Sequence, residues 1–428
     1  MQTQDTGKSG GNAAAVSKRP IQDEIVQALS TGDLDILDEI VKDRALEALH
    51  IRAVLSTANN NAVIPVFKLQ ETCNQVQCLR SYFRGPNLFF ISAGISLQAH
   101  ISNGKSTVLM GTSVAFDSNV AEAVRIYVKG GAVSPRDLKE LVSLFSLKRR
   151  IGFQFDISLF LLENIRLTRE DNRNRRPIET LLAFRQLDFL DWGKFDQDAS
   201  SPRFNHLPID LKQTVEAEFA NFMRSNAFER AETRAMFNNA LLTRLSVLWL
   251  KDHRDPMHVL SALVDFCIFK LQKLPVAELR LIWHFLKNPR TDGFFAPLVT
   301  KSTKLIGALR GMSWDMQHLR ALESSATASE SGSFFIPFVA SFDEKWRNAL
   351  AEDPADFMVI DDMRKSVSSG RYSDREFNVD LVESMNPRCL AALSPEDVER
   401  RRRISLSKSD LHLLSEEDAV TLAWLVSP

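Results

Sequence analysis

Apolar residues at Ile25, Leu29, Leu34, Ile36, Leu37, Ile40, Val41, Leu46 and Leu49 recur at helical spacing. They predict helices from Ile21 to Arg52, broken at Ser30-Thr31-Gly32. A third helix is expected from Phe67 to Phe83, ending before Gly85-Pro86. The texture then changes. Leu88 to Ile91 and Ser96 to Ile101 read as strands, and Asn103-Gly104 is a hairpin signal leading into a strand from Thr107 to Phe116. A helix follows from Val120 to Val128, stopped by Gly130-Gly131. Ser134-Pro135 opens another, with an N-cap serine and a proline in the first turn.

Phe153 to Arg166 predicts a largely buried helix carrying Glu163, and Ile178 to Leu190 another. Ser200 to Pro208 reads as a linker. From Ile209 to Leu286 the pattern is almost wholly helical, with breaks near Ser225-Asn226, Asp255-Pro256 and Leu274-Pro275. After Phe294 to Leu309 and Trp314 to Glu323, a loop from Ser324 to Ser333 leads to a strand from Phe334 to Ala340. Pro337 inside that strand suits only an edge, a strand start or a bulge. The tail from Asp353 to Pro428 reads as helical.

Composition narrows the class. The 428 residues are 44% hydrophobic, as in an ordinary globular protein. Lys+Arg 53 against Asp+Glu 54 leaves a formal charge of -1, so any nucleic-acid binding must use a local patch. No run approaches a membrane span, and the polar start has no secretory core. Four cysteines without paired metal knuckles read as buried thiols in a reducing, cytoplasmic setting. His253 and His258 lack the spacing that aligns two ligands on a helix.

Two strands share a grammar: an apolar run, then an aspartate, then a helix. One ends in Phe116-Asp117-Ser118-Asn119, the other in Ser341-Phe342-Asp343-Glu344-Lys345. Carboxylates at strand ends are where open α/β sheets place ligands and metals. Leu161-Leu162-Glu163-Asn164 and Ser313-Trp314-Asp315-Met316 add two more acids. Taken together, the order resembles the PIN-like nucleases. Their first aspartate follows strand one, a second acid sits on an apolar helix, a third begins a later helix, and a fourth follows the last core strand in a phrase like "TxDxxh". Here Ser341 stands where that phrase has threonine. The likeness covers roughly Thr107 to Leu350, with a long helical interruption between Glu163 and Asp315.

The resemblance implies a metal-dependent endonuclease, with RNA favoured over DNA, and a role as toxin or defence effector. Asp117, Glu163, Asp315 and Asp343 would be the catalytic and metal-binding set. Mg²⁺ or Mn²⁺ would be held by carboxylate oxygens and would activate a water against a phosphodiester. Asn119 would orient water or phosphate. Arg166, Arg169, Arg173, Arg175 and Arg176 would form a backbone track, extended by Lys148, Arg149 and Arg150. Arg400 to Arg403 reads as solvated or partner-facing.

Each residue also has a plainer reading. Asp117, Asp315 and Asp343 are suited to capping helices, Glu163 to a salt bridge with an arginine, and the arginines to a solvated face. Asp156 and Glu323 are rival acids. The alternative function is therefore a non-catalytic helical scaffold, with a protein partner or a second copy docked through the helical regions.

The expected fold is α/β: a small central, mainly parallel sheet with a large helical insertion and helical flanks. The expected division is a disordered leader (1–20), an N-terminal helical region (21–86), the first part of the α/β domain (87–200), the insertion (201–293), the second part (294–352) and a helical tail (353–428).

Overall fold

The computed structural model describes residues 20–31, 33–58, 66–102, 108–171, 173–252, 255–290, 292–299, 304–326, 334–352, 354–371 and 374–426. The expected leader up to residue 19, the Asn103-Gly104 hairpin and His253 lie outside them. The class is mixed α/β with a helical majority.

Among the described residues nine strands form two sheets. They are β1 (Ile51–Thr57), β2 (Val66–Phe67), β3 (Leu79–Ser81), β4 (Asn87–Ser92), β5 (Met110–Phe116), β6 (Gln154–Asp156), β7 (Phe334–Ala340), β8 (Phe357–Asp361) and β9 (Ser366–Gly370). The four-stranded sheet has the order β3-β7-β5-β6. Its β7, β5 and β6 run parallel, and β3 is antiparallel to β7. The five-stranded sheet, β2-β4-β1-β8-β9, is wholly antiparallel.

This second sheet is the main departure from the sequence pattern. The helix expected from Phe67 to Phe83 is instead β2, a short helix Leu69–Cys73, and β3. Pairing of Leu79, Arg80 and Ser81 with β7 outweighs local preference there. The strand expected from Ser96 to Ile101 is part of a helix, Ala93–Ile101, because the Ser92 hydroxyl accepts a bond from Ile95 N (3.2 Å) and starts it. The tail is not all helical, since β8 and β9 form a hairpin inside it. Short buried apolar runs such as Phe357-Met358-Val359-Ile360 look alike in strand and helix. β6 takes the first residues of the expected Phe153 to Arg166 helix, which begins at Ser158.

Other expectations match. Helix Ser118–Val128 ends at Gly130, whose φ is +71°. Ser134 caps helix Pro135–Ile151. The helical block consists of Leu211–Arg224, Asn226–Asp252, Pro256–Phe269 and Val276–Lys287, with breaks at the three predicted places.

Pro337 sits in an interior strand, not at an edge, and local pairing explains why. The Pro337 carbonyl accepts from Tyr82 N just past the end of β3 (3.4 Å). The return donor that proline lacks is supplied to the Tyr82 carbonyl by Ala355 N at 2.9 Å. No ladder acceptor is left stranded.

The core is continuous. Buried apolar side chains from Val54 to Leu422, including those of all four helices of the block, belong to one cluster. A smaller cluster packs Ile21, Ile25 and Leu29 against Ile51, Phe357 and Val359 of the five-stranded sheet. The four cysteines are free thiols, three of them buried. Among the described residues no helix is long and apolar enough to cross a membrane.

Candidate metal centre

β5 lies between β7 and β6, so the chain leaves β5 toward one side and returns on the other. The crevice beyond the C-terminal ends of β5 and β7 is therefore a topological switch point, where α/β sheets bind ligands. Asp117 and Asp343 follow those two strand ends.

Asp117 is buried and held by three hydrogen bonds. Its Oδ1 accepts from Ser118 N (2.6 Å), and its Oδ2 from Asn119 Nδ2 (2.9 Å) and Ser341 Oγ (2.6 Å). These three donors fix the orientation of the carboxylate. The other end of the Asn119 amide accepts from Phe342 N at 2.8 Å. Asn119 thus ties one strand end to the other through both ends of its amide. Buried Arg347 braces the same loop by donating to the Ser341 carbonyl (2.8 Å).

Asp343 is exposed and caps helix Glu344–Glu352, its Oδ1 accepting from Lys345 N (2.8 Å) and Trp346 N (3.2 Å). Glu163, on helix Ser158–Glu170, accepts from Ser118 Oγ at 2.5 Å, and Asn164 Nδ2 donates to the same hydroxyl at 2.8 Å. Among the described residues Glu163 makes no ion pair, and a serine hydroxyl stands in for the arginine partner expected for it.

Asp315 departs most from expectation. It does not begin a helix. It lies in the middle of Leu305–Ala326, a 22-residue helix, where no backbone N–H is left to cap. Burial raises its carboxyl well above the usual range, and the charges of Asp117, Glu163 and Asp343 push it further. Asp315 therefore feels the charges of the other three acids chosen from the sequence. The closest approach, however, belongs to a different set. Asp117, Asp315 and His318 each offer a ligand atom within 4.8 Å of the others.

His318 was not foreseen. It is fully buried, and among the described residues neither ring nitrogen has a hydrogen-bond partner. An orphaned buried polar atom costs about 1–3 kcal/mol, and a cation coordinated by one nitrogen removes one such penalty. Asp315 and His318 are three residues apart, one helical turn, so their side chains leave the same face. That Asp-x-x-His spacing on an apolar helix was the signal available in the sequence. The helix is held in place by Asn238, whose Nδ2 donates to the Ser313 carbonyl (3.2 Å) from the neighbouring helix Asn226–Asp252.

Several of the remaining basic candidates are paired with other acids. Arg175 pairs with Glu216 (2.9 Å) and Arg176 with Glu122 (3.0 Å), both at the surface. Arg173 is exposed, and the Arg166 Nε is buried without a partner. The Arg169 side chain lies outside the described residues. Lys148 pairs with Asp188 and Arg149 with Asp196. Arg401 is buried and bonds the Ala392 carbonyl, while Arg400, Arg402 and Arg403 pair with acids of their own helix. Of the rival acids, Asp156 caps at Ser158 N (2.8 Å), and Glu323 pairs with Arg320 (2.7 Å).

Compared with known protein families, curated proteins and solved structures, the chain matches none.

Proposed function

We propose that this protein is a metal-dependent nuclease, with RNA as the favoured substrate, whose divalent cation is held by Asp117, Asp315 and His318. One observation carries the reading: three potential ligand atoms converge within 4.8 Å, and one of them belongs to a buried histidine with no other partner. Such a ring is costly without a cation. Like-charged carboxylates repel, and an unpaired imidazole loses its hydration.

The donor set refines the choice of metal. Mg²⁺ takes oxygen ligands and keeps several waters, whereas imidazole suits first-row transition ions. With His318 in the set, Mn²⁺ fits better than Mg²⁺. Asp343 and Glu163 stand around the ring, where they would accept a proton from the attacking water or bind cation-held waters. The cation would polarise the phosphoryl oxygen, supply a nucleophilic water and stabilise the leaving oxygen. The order of acids along the chain, which resembles PIN-like nucleases, supports this chemistry over other metal-assisted hydrolyses.

The scaffold alternative needs the acids to be caps. Asp117 and Asp343 do cap helices, but Asp315 in mid-helix has nothing to cap. The test is cleavage of a mixed RNA and single-stranded DNA panel with added Mn²⁺, comparing the native chain with Asp117→Asn and His318→Ala. Cleavage that needs Mn²⁺ and both residues supports the proposal. Equal cleavage by the variants, or none by the native chain when Mn²⁺ is bound, rejects it.

A further inference from the structure

A cavity of about 1160 Å³ opens on another face of the helix that carries Asp315 and His318. At about 100° per residue, Arg320 lies roughly 140° around that helix from Asp315. The walls come from the first turns of helix Asn226–Asp252, the turn after helix Pro256–Phe269, helix Leu305–Ala326, and the end of helix Pro395–Arg403. Drug-sized pockets run to roughly 300–1,000 Å³, so the space suits a small organic ligand.

Its charges are unevenly matched. The lining acids are already satisfied: Glu278 and Glu323 by Arg320 (2.6 and 2.7 Å), and Glu229 by Lys408. Among the described residues the lining cations Arg230, Arg234, Lys273 and Arg401 make no ion pair, and Arg401 donates instead to the Ala392 carbonyl. Burial lowers the Arg234 pKa, and the neighbouring charges of Arg320 and Arg230 add to this against the pull of Glu278 and Glu323. Cations that outnumber the acids around a concave space are a receptor for an anion.

Two further features bear on the ligand. Phe237, Leu271, Leu274 and Leu393 give the cavity an apolar wall. Gln272 holds a left-handed backbone (φ +57°) at the end of helix Pro256–Phe269, where Lys273 N closes on the Cys267 carbonyl at 3.0 Å. Glycine is the usual residue there, and a side chain costs about 1–2 kcal/mol. That turn sets Lys273 on the cavity wall.

We infer that the cavity binds a small phosphorylated organic molecule of about mononucleotide size. Its phosphates lie among Arg230, Arg234 and Lys273, and its apolar part rests on Phe237, Leu271 and Leu274. The cations line one concavity, which favours a small molecule over a polynucleotide.

The experiment is calorimetric titration of the full chain, in buffer containing EDTA to exclude any cation at the acidic centre. The probes are ATP, pyrophosphate and a short single-stranded RNA. One saturable site for ATP is expected, with pyrophosphate competing for it. Arg230→Ala/Arg234→Ala should weaken ATP by about 10–100-fold, the loss of one to two charge-assisted bonds, with its melting curve recorded to confirm folding. Lys273→Ala, at an exposed position, gives a second reading should the double variant fail to fold. Three results would overturn the inference: no saturable binding of ATP or pyrophosphate, binding unchanged by the variants, or RNA binding that pyrophosphate does not displace.

Discussion

The Ser341 hydroxyl donates to Asp117 Oδ2 at 2.6 Å across 224 positions of sequence, joining the ends of two parallel strands through one hydrogen bond. That contact fixes the carboxylate in the crevice. Ser341→Ala should weaken Mn²⁺ binding by about 10–100-fold, as is typical when a partner of a metal ligand is lost. Ser341→Thr keeps the hydroxyl and should restore most of the affinity. Calorimetric titration of both variants checks this.

His318 offers a prediction of opposite sign for stability and for binding. His318→Leu replaces two orphaned buried nitrogens with an apolar side chain of comparable bulk. The metal-free protein should gain about 1–3 kcal/mol, read as a higher denaturant midpoint at unchanged m-value. The same variant should lose Mn²⁺ uptake. A variant both less stable and still metal-binding would remove His318 from the centre.

Glu323 sets an acid limit. Burial works to raise its pKa, but the Arg320 guanidinium and the Ser369 hydroxyl outweigh burial and hold it below the ordinary value. The folded state then binds fewer protons than the unfolded one. Its stabilisation is present above the unfolded pKa of about 4.3 and is lost as pH falls through the folded value. Glu323→Gln should cost about 1–3 kcal/mol at neutral pH and flatten the fall in stability below pH ~4.3. Denaturant melts between neutral and acid pH measure both effects.

Gly370 pairs across the hairpin with Phe357, and a Cβ at that position would overlap the Phe357 ring. Phe357 is wholly buried, so the ring has no open space to move into. Gly370→Ala should destabilise by about 1–3 kcal/mol, the usual range for overpacking. Thermal unfolding of the variant gives the value.

The strand-end acids were legible because their signal is local. An apolar run, an aspartate and an amphipathic helix are neighbours in sequence, and β5 and β7 have the expected form. The antiparallel sheet was not legible. β1 and β8 lie some three hundred residues apart, and nothing near Phe357 distinguishes a buried strand from a buried helix. Asp315 was chosen for its place in an ordered set of acids, yet it was assigned to a helix start because the helix was read as beginning later. That misplacement hid His318. Once Asp315 is known to lie mid-helix, the residue one turn on becomes its natural partner. The arginines after Glu163 show the converse, since charge grouped in sequence is spent on Glu216 and Glu122 in the fold.

The central claim is that Asp117, Asp315 and His318 together hold one divalent cation. Titrating the folded, metal-free protein with Mn²⁺ by calorimetry, alongside Asp117→Asn and His318→Ala, tests it directly. One saturable site in the native chain, abolished in both folded variants, is the predicted result. No uptake by the native chain, or uptake that both variants retain in full, would contradict it.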